Sequence, residues 1–256
     1  MIVKDEAIVL KTMNYGETSK IVTAYAQNHG RISFMAKGAR DGKRRFGSSL
    51  DLLNHVQAVF YKKEGRDLHF LSQCDVLTYY SRLSSDLERL AAGMSILELI
   101  KTTVHPGDDS HAMFNAAIDA LNAVRDAQRN VLGVLLHFEL RMLDILGFKP
   151  GLYQCARCSK VLGGGLGGTK LRTFRLSPGG IFCVTCSGQT DGSPLVSVET
   201  IELLGQLQKT TSGSAGEMAV QPSLCGEARK ILWYYFRSHI EGIKPLKSEA
   251  VFCAVA

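Results

Sequence analysis

The sequence predicts an α+β protein: a small closed β-barrel over residues 1–80, then an α-helical bundle into which a four-cysteine module is inserted. Three observations carry that prediction. The first eighty residues alternate apolar and polar side chains between turn signals. From Leu83 the apolar period lengthens to helical spacing. Two C-x₂-C pairs then interrupt the helical pattern inside a glycine-rich stretch. The boundaries that follow are 1–80 for the barrel, 81–150 for the first part of the helical domain, 151–190 for the cysteine module and 191–256 for the second part.

Five strands account for the barrel. Ala7–Met13 comes first and Asn14-Tyr15-Gly16 turns the chain. Ser19–Gln27 is apolar on both faces, and Asn28-His29-Gly30 makes a tight turn into Arg31–Ala36. A polar loop covers Lys37–Ser49, after which Val56–Lys62 and Leu68–Leu77 complete the set. Five short strands without a helix long enough to cover an open sheet are expected to close on themselves, as an OB-fold or as an SH3-like barrel. In the helical part, Ser85-Asp86-Leu87-Glu88 reads as a capping box, and Leu83, Leu87, Leu90, Met94 and Leu97 share one face. Ser110–Ala127 is a second helix. Asn130 caps a third, which is apolar nearly all round, ends at Gly147 and is expected at the centre of the bundle. Helices resume at Val198–Lys209 and Leu224–Ile240. Residues 211–222 are expected to be a flexible loop, and Ser248–Ala256 shows no clear pattern.

Charge is unevenly spread. The net charge is +6, with +4 in residues 1–80, −2 in 81–150, +5 in 151–190 and −1 in 191–256. Two basic regions point to a polyanionic partner, although a surface tuned for solubility would look the same. Asp5 and Glu6 stand where a secretory signal needs an apolar run, and Glu139, Arg141 and Asp144 interrupt the most apolar helix. No membrane association is expected, and the protein is expected to be cytoplasmic.

Of seven cysteines, Cys155/Cys158 and Cys183/Cys186 form two pairs separated by twenty-four residues. Two-residue spacing lets both thiolates of a pair face one ion, and two pairs supply the four soft ligands of a closed tetrahedral zinc site. Such a site has no open coordination position, so one structural Zn²⁺ is expected. Glycines 163–165, 167 and 168 offer the module almost no core, and metal ligation must hold it instead. Serine rather than glycine follows each pair, at Ser159 and Ser187. Gly163–Lys170 and Gly38–Lys43 each imitate a phosphate-binding loop and lack its Lys-Ser/Thr ending. His137-Phe138-Glu139 with the first cysteine pair imitates a zinc deaminase, but Gln154 stands where that motif has proline. The sequence holds no credible catalytic constellation, and the chain is not expected to be an enzyme.

Arg31, Lys37, Arg40, Lys43, Arg44 and Arg45 crowd into fifteen residues, with Phe46 next in line. Mobile cations beside a barrel groove suit a phosphate backbone, and a base is expected to stack on Phe46 or a barrel tyrosine. A solvated surface loop with Phe46 pinned to the core is the alternative. Arg157, Lys160, Lys170, Arg172 and Arg175 form a possible second DNA-binding patch across the cysteine module.

Together these residues resemble the bacterial DNA repair protein RecO family. The similarity runs through Glu6-Ala7-Ile8-Val9-Leu10, Tyr15-Gly16-Glu17, Ala36-Lys37-Gly38-Ala39-Arg40, Arg45-Phe46-Gly47, Leu146-Gly147-Phe148-Lys149-Pro150, both cysteine pairs and Leu176-Ser177-Pro178-Gly179-Gly180. The resemblance implies an N-terminal OB-fold and a helical bundle bearing the zinc module. It also implies a recombination mediator that binds single- and double-stranded DNA and anneals complementary strands. With RecR, such a protein helps RecA displace the single-stranded DNA-binding protein (SSB), whose acidic, apolar-ended tail it recognises, without hydrolysing ATP. A zinc-stapled protein–protein adaptor with only nonspecific nucleic-acid binding is the second reading of the same sequence.

Overall fold

The computed structural model describes residues 1–41, 46–63, 65–108, 110–162, 171–177, 179–187 and 193–248. They form two compact units, residues 1–121 with 246–248, and residues 122–245.

The first unit is built on a closed five-stranded barrel. Its strands are β1 (Ile2–Tyr15), β2 (Ser19–Ala26), β3 (Gly30–Ala36), β4 (His55–Tyr61) and β5 (Leu68–Thr78), in the order β1-β2-β3-β5-β4 with β4 returning to β1. All pairs are antiparallel except β3 with β5. That connectivity makes the barrel an OB-fold rather than an SH3-like one. β1 runs longer than the sequence pattern predicts, because a register shift between Val9 and Lys11 lets one strand pair with β4 at one end and β2 at the other. Val9, Val22, Phe34, Val56, Phe60 and Leu71 fill the interior. The connection after β3 returns Phe46 and Leu50 into the same core.

The β2–β3 turn is fixed from two sides. Asp5, buried on β1, accepts from the Asn28 backbone N–H (3.1 Å) and from Asn28 Nδ2 (2.7 Å), and lies 2.7 Å from His29 Nδ1. Gly30 has φ +65°, and a Cβ there would stand 2.5 Å from the His105 carbonyl oxygen. Only glycine allows the segment 105–108 to close on this turn, where Arg31 N–H donates to His105 O and Gly107 N–H to His29 O. After a 3₁₀ turn at Ser81–Ser85, α1 (Leu87–Thr103) is capped by Asp86, whose carboxylate accepts from Arg89 N–H. The cap is thus one residue later than the predicted box. α2 (His111–Asp126) begins against the barrel, with Tyr25 edge-on to Phe114. Leu246 and Ser248 are buried, and Ser248 Oγ meets Ser95 Oγ on α1 at 2.8 Å. The tail therefore acquires order at Ser248; its remaining residues lie outside the described set.

In the second unit, α3 (Val131–Ile145) is the central helix as predicted. Asn130 Oδ1 caps it at 2.7 Å from Gly133 N, and it packs on α5 (Val198–Lys209), α6 (Ser212–Glu217) and α7 (Pro222–His239). α6 corrects the expected flexible loop: Thr211 caps it, and Ala215 and Gly216 are buried, with Gly216 close to Ala127 and Val134. Between α3 and α5 lies a small sheet, β7-β6-β8, made of β6 (Leu171–Arg175), β7 (Gly180–Ile181) and β8 (Leu195–Ser197), with the single turn α4 (Val184–Ser187).

Candidate metal centre and nucleic-acid interface

Local backbone geometry gathers the four cysteines. Residues 154–161 fold into a tight loop in which Ser159 N–H donates to Cys155 O and Cys155 N–H to Lys160 O, both at 2.9 Å. The second pair sits where β7 runs into α4, with Cys186 N–H (3.0 Å) and Ser187 N–H (2.9 Å) both donating to Cys183 O. Ala156 N–H donates to Ile181 O at 2.9 Å and joins the two loops. Gly180 makes that approach possible: at φ +140°, its Cβ would fall 2.5 Å from the Gly151 carbonyl oxygen. Ser159 adopts φ +58°, the left-handed conformation for which a knuckle ordinarily uses glycine.

The four Sγ atoms all lie within 4.8 Å of one another, and Cys158 and Cys183 are 3.8 Å apart. A tetrahedral ion with metal–sulfur bonds of about 2.3 Å separates its sulfurs by about 3.8 Å, so the cluster fits one ion. Phe182 and the partly buried Leu162 screen it on the apolar side. The thiols differ in acidity. Burial pushes the Cys155 thiol up, but the backbone N–H groups of Cys183, Cys158 and Arg157 together outweigh it and bring it down to about 6. The Cys186 N–H lowers Cys183, whereas Cys186, sharing protons with Cys183 and Cys158, is pushed up to about 12. His137 takes no part. Its Nδ1 lies 2.8 Å from the Leu207 carbonyl, a bundle histidine bonded to the end of α5.

The basic residues separate into distinct roles. Lys37 and Arg40 are exposed. Lys37 Nζ stands 5.4 Å from the Phe70 ring centroid, while Arg40 is fastened to the β1–β2 turn by its N–H to Thr18 O (2.9 Å) and its Nη1 to Gly16 O (3.0 Å). Arg31 is half-buried and donates through Nη1 to Lys101 O in the last turn of α1, where a cation complements the helix dipole. Lys43, Arg44 and Arg45 lie outside the described residues. Phe46 corrects one expectation: it is 5% exposed in the barrel core, so its ring cannot stack on a base. In the second patch Arg157 and Lys160 are exposed, and Lys170 is outside the described set. Arg175 is partly buried, donating to Ser187 O with its guanidinium over Phe182. Arg172 is a second correction: only 6% exposed on the middle strand of the small sheet, it donates through Nη1 to Leu171 O and does not reach the surface as a phosphate contact would. Phe70 and its neighbour Tyr61, ring centroids 6.2 Å apart, were not singled out by sequence because they are remote from the basic loop in the chain. No helix among the described residues is long and apolar enough to cross a membrane.

An OB-fold barrel with exposed cations at its β3 end, and a separate cluster of four cysteines able to hold one metal ion, define a barrel-and-bundle protein with two candidate sites. The comparisons narrow the class. The model of the family described as recombination protein O N terminal matches residues 1–80, and that of recombination protein O C terminal matches residues 84–250. The DNA repair protein RecO of Nocardioides sp. is 34% identical over 253 residues, covering 96% of this chain and 98% of that protein. That of Streptomyces coelicolor is 31% identical over 251 residues (95% and 97%), and that of Chloroherpeton thalassium 28% over 255 residues (98% of each). The chain belongs to the RecO family of DNA repair proteins.

Proposed function

We propose that this chain is a recombination mediator that binds single- and double-stranded DNA and anneals complementary strands. Together with RecR it helps load RecA on SSB-coated single strands in the cytoplasm, at the nucleoid. The observation that carries this reading is the pair of exposed cations, Lys37 and Arg40, held on an OB-fold barrel at the mouth of the basic loop. Positive charge screens the mutual repulsion of two strands and raises their encounter rate, while base pairing supplies the driving force. No bond-making step is assigned to the chain itself.

The four cysteines would hold one Zn²⁺ with a purely architectural task, fixing the 151–187 module on the bundle.

Reversing Lys37, Arg40, Lys43, Arg44 and Arg45 to glutamate tests the reading. DNA affinity and annealing of SSB-coated strands are expected to collapse. In the unaltered protein, if about four cations engage a single strand, log affinity falls with log salt at a slope of roughly −3. Unchanged annealing in the reversed variant would favour the adaptor.

A further inference from the structure

The barrel registers align a row of side chains that no stretch of sequence contains. Ile2 pairs with Tyr61, Tyr61 with Phe70, Phe70 with Met35, Met35 with Ile21, and Ile21 with Met13. Met35 and Phe70 sit between buried neighbours and Tyr61 follows buried Phe60, so all three face outward; Ile21 is next to buried Val22, while Ile2 and Met13 are next to the partly buried Val3 and Thr12. Ile2 is 63% exposed, Tyr61 and Met13 47%, and the other three are partly exposed. An unbroken apolar row on the outside of a barrel is a binding surface rather than scatter.

Its flanks identify the occupant. Two residues along the chain from the row stand Lys4 and Lys37 on one side and Lys63 on the other, Lys37 and Lys63 just past the ends of β3 and β4, and Lys11 continues that second side beside Met13; all four are exposed. The strand positions between them are Val59, Ser72 and Gln73 on the first side and Leu68, Ser33 and Thr23 on the second, with no acid among them. The centre of the row is a pair of aromatic rings, Tyr61 and Phe70, whose faces fit flat ring systems better than the aliphatic side chains of an acidic peptide. An unpaired nucleic-acid strand offers the complement, flat apolar bases flanked by phosphates. We propose that this row is a stacking platform for the unpaired bases of single-stranded DNA, with Tyr61 and Phe70 at its centre. The proposal rests on the DNA-binding reading above and adds to it the residues that separate single from double strands. Duplex DNA keeps its bases stacked inside and meets only the lysines. Lys37, now over the Phe70 ring, is placed to follow a phosphate once a base takes that ring. The strands stand about 4.8 Å apart, so the three pairings from Ile2 to Met35 span about 14 Å, room for a short run of bases.

The test compares the full chain with Tyr61→Ala/Phe70→Ala, titrating a fluorescent oligo(dT) and a duplex of equal length. Single-strand affinity is expected to fall at least tenfold, since each stacked base contributes about 1–3 kcal/mol; duplex affinity is expected to stay within about threefold. A Tyr61→Trp/Phe70→Trp variant, which keeps both ring faces, should retain single-strand affinity and lose indole emission on oligo(dT) but not on duplex. The platform is overturned if the alanine variant binds oligo(dT) like the parent, if single and double strands weaken equally, or if the indoles are not quenched. The first of these outcomes, with the charge-reversed loop still abolishing binding, would remove the platform and leave the mediator standing. A parent chain that binds neither DNA would remove both.

Discussion

Replacing Cys183 by serine probes whether the two cysteine pairs serve one ion. Cys183 Sγ lies 3.8 Å from Cys158 Sγ, and all four sulfurs are within 4.8 Å of one another, so each can supply one corner of a single tetrahedral site. Structural zinc sites contribute about 10–16 kcal/mol of apparent binding free energy near neutral pH. Shared among four thiolates, one corner is worth about 3 kcal/mol, or roughly a hundredfold in affinity. Competition against a chromophoric chelator reads that ratio, and elemental analysis reads the metal content, expected at about one zinc per chain in the parent. Helical circular dichroism should persist, because α3, α5 and α7 bury their own apolar side chains, among them Val134, Leu204 and Leu232. Limited proteolysis within residues 151–187 should accelerate. Cys74→Ser is the control. That thiol belongs to the barrel, where burial pushes it up to about 11, and its loss should leave metal affinity unchanged. The single-ion centre is refuted if Cys183→Ser keeps parental affinity while Cys155→Ser loses the metal, the pattern of an ion held by the first pair with other ligands.

Two further outcomes test the barrel. Gly30→Ala should destabilise the first unit by about 2–4 kcal/mol, from the left-handed φ and the weakened Arg31–His105 and Gly107–His29 hydrogen bonds; differential scanning calorimetry should show its transition lowered by several degrees. Acid should weaken the same unit. Burial lowers His55 against the pull of Glu6, and lowers His69 with help from the Lys62 charge, so the unfolded chain binds protons first. Stability is then complete above the ordinary histidine value near 6.5 and falls as pH drops below it. His55→Gln/His69→Gln should flatten the melting temperature between pH 7.5 and 5.5; an unchanged pH slope would rule these two histidines out as its source.

The strands were legible because alternation is a local signal, and the cysteine centre because its spacing is. What escaped depends on partners distant in the chain. Nothing in the Ser-Gly-Ser-Ala-Gly composition of residues 212–216 favours a helix. α6 forms there because Thr211 caps it and small side chains let it approach Ala127 and Val134. Phe46 follows three cations in sequence and reads equally as a surface ring; only the return of Phe46 and Leu50 into the barrel core decides against that. Arg172 looks exposed by composition, yet β6 lies between β7 and β8.

The same distinction divides the proposed DNA chemistry. Cations gathered at 37–45 are contiguous, so they read directly as an electrostatic feature, and electrostatics attracts any polyanion, single or double stranded. Discrimination requires groups that touch what differs between the two, the exposed faces of unpaired bases. On this barrel those groups come from residues 2, 13, 21, 35, 61 and 70, which only sheet registration brings together. The parallel β3–β5 pairing is the step that joins Met35 to Phe70 and makes two separate apolar edges continuous. A one-residue slip in that pairing would turn Phe70 away from Met35 and interrupt the row, while Lys37 and Arg40 kept their charge. General affinity for DNA can therefore reside in a loop that tolerates change, whereas preference for single strands depends on the barrel closing in this register.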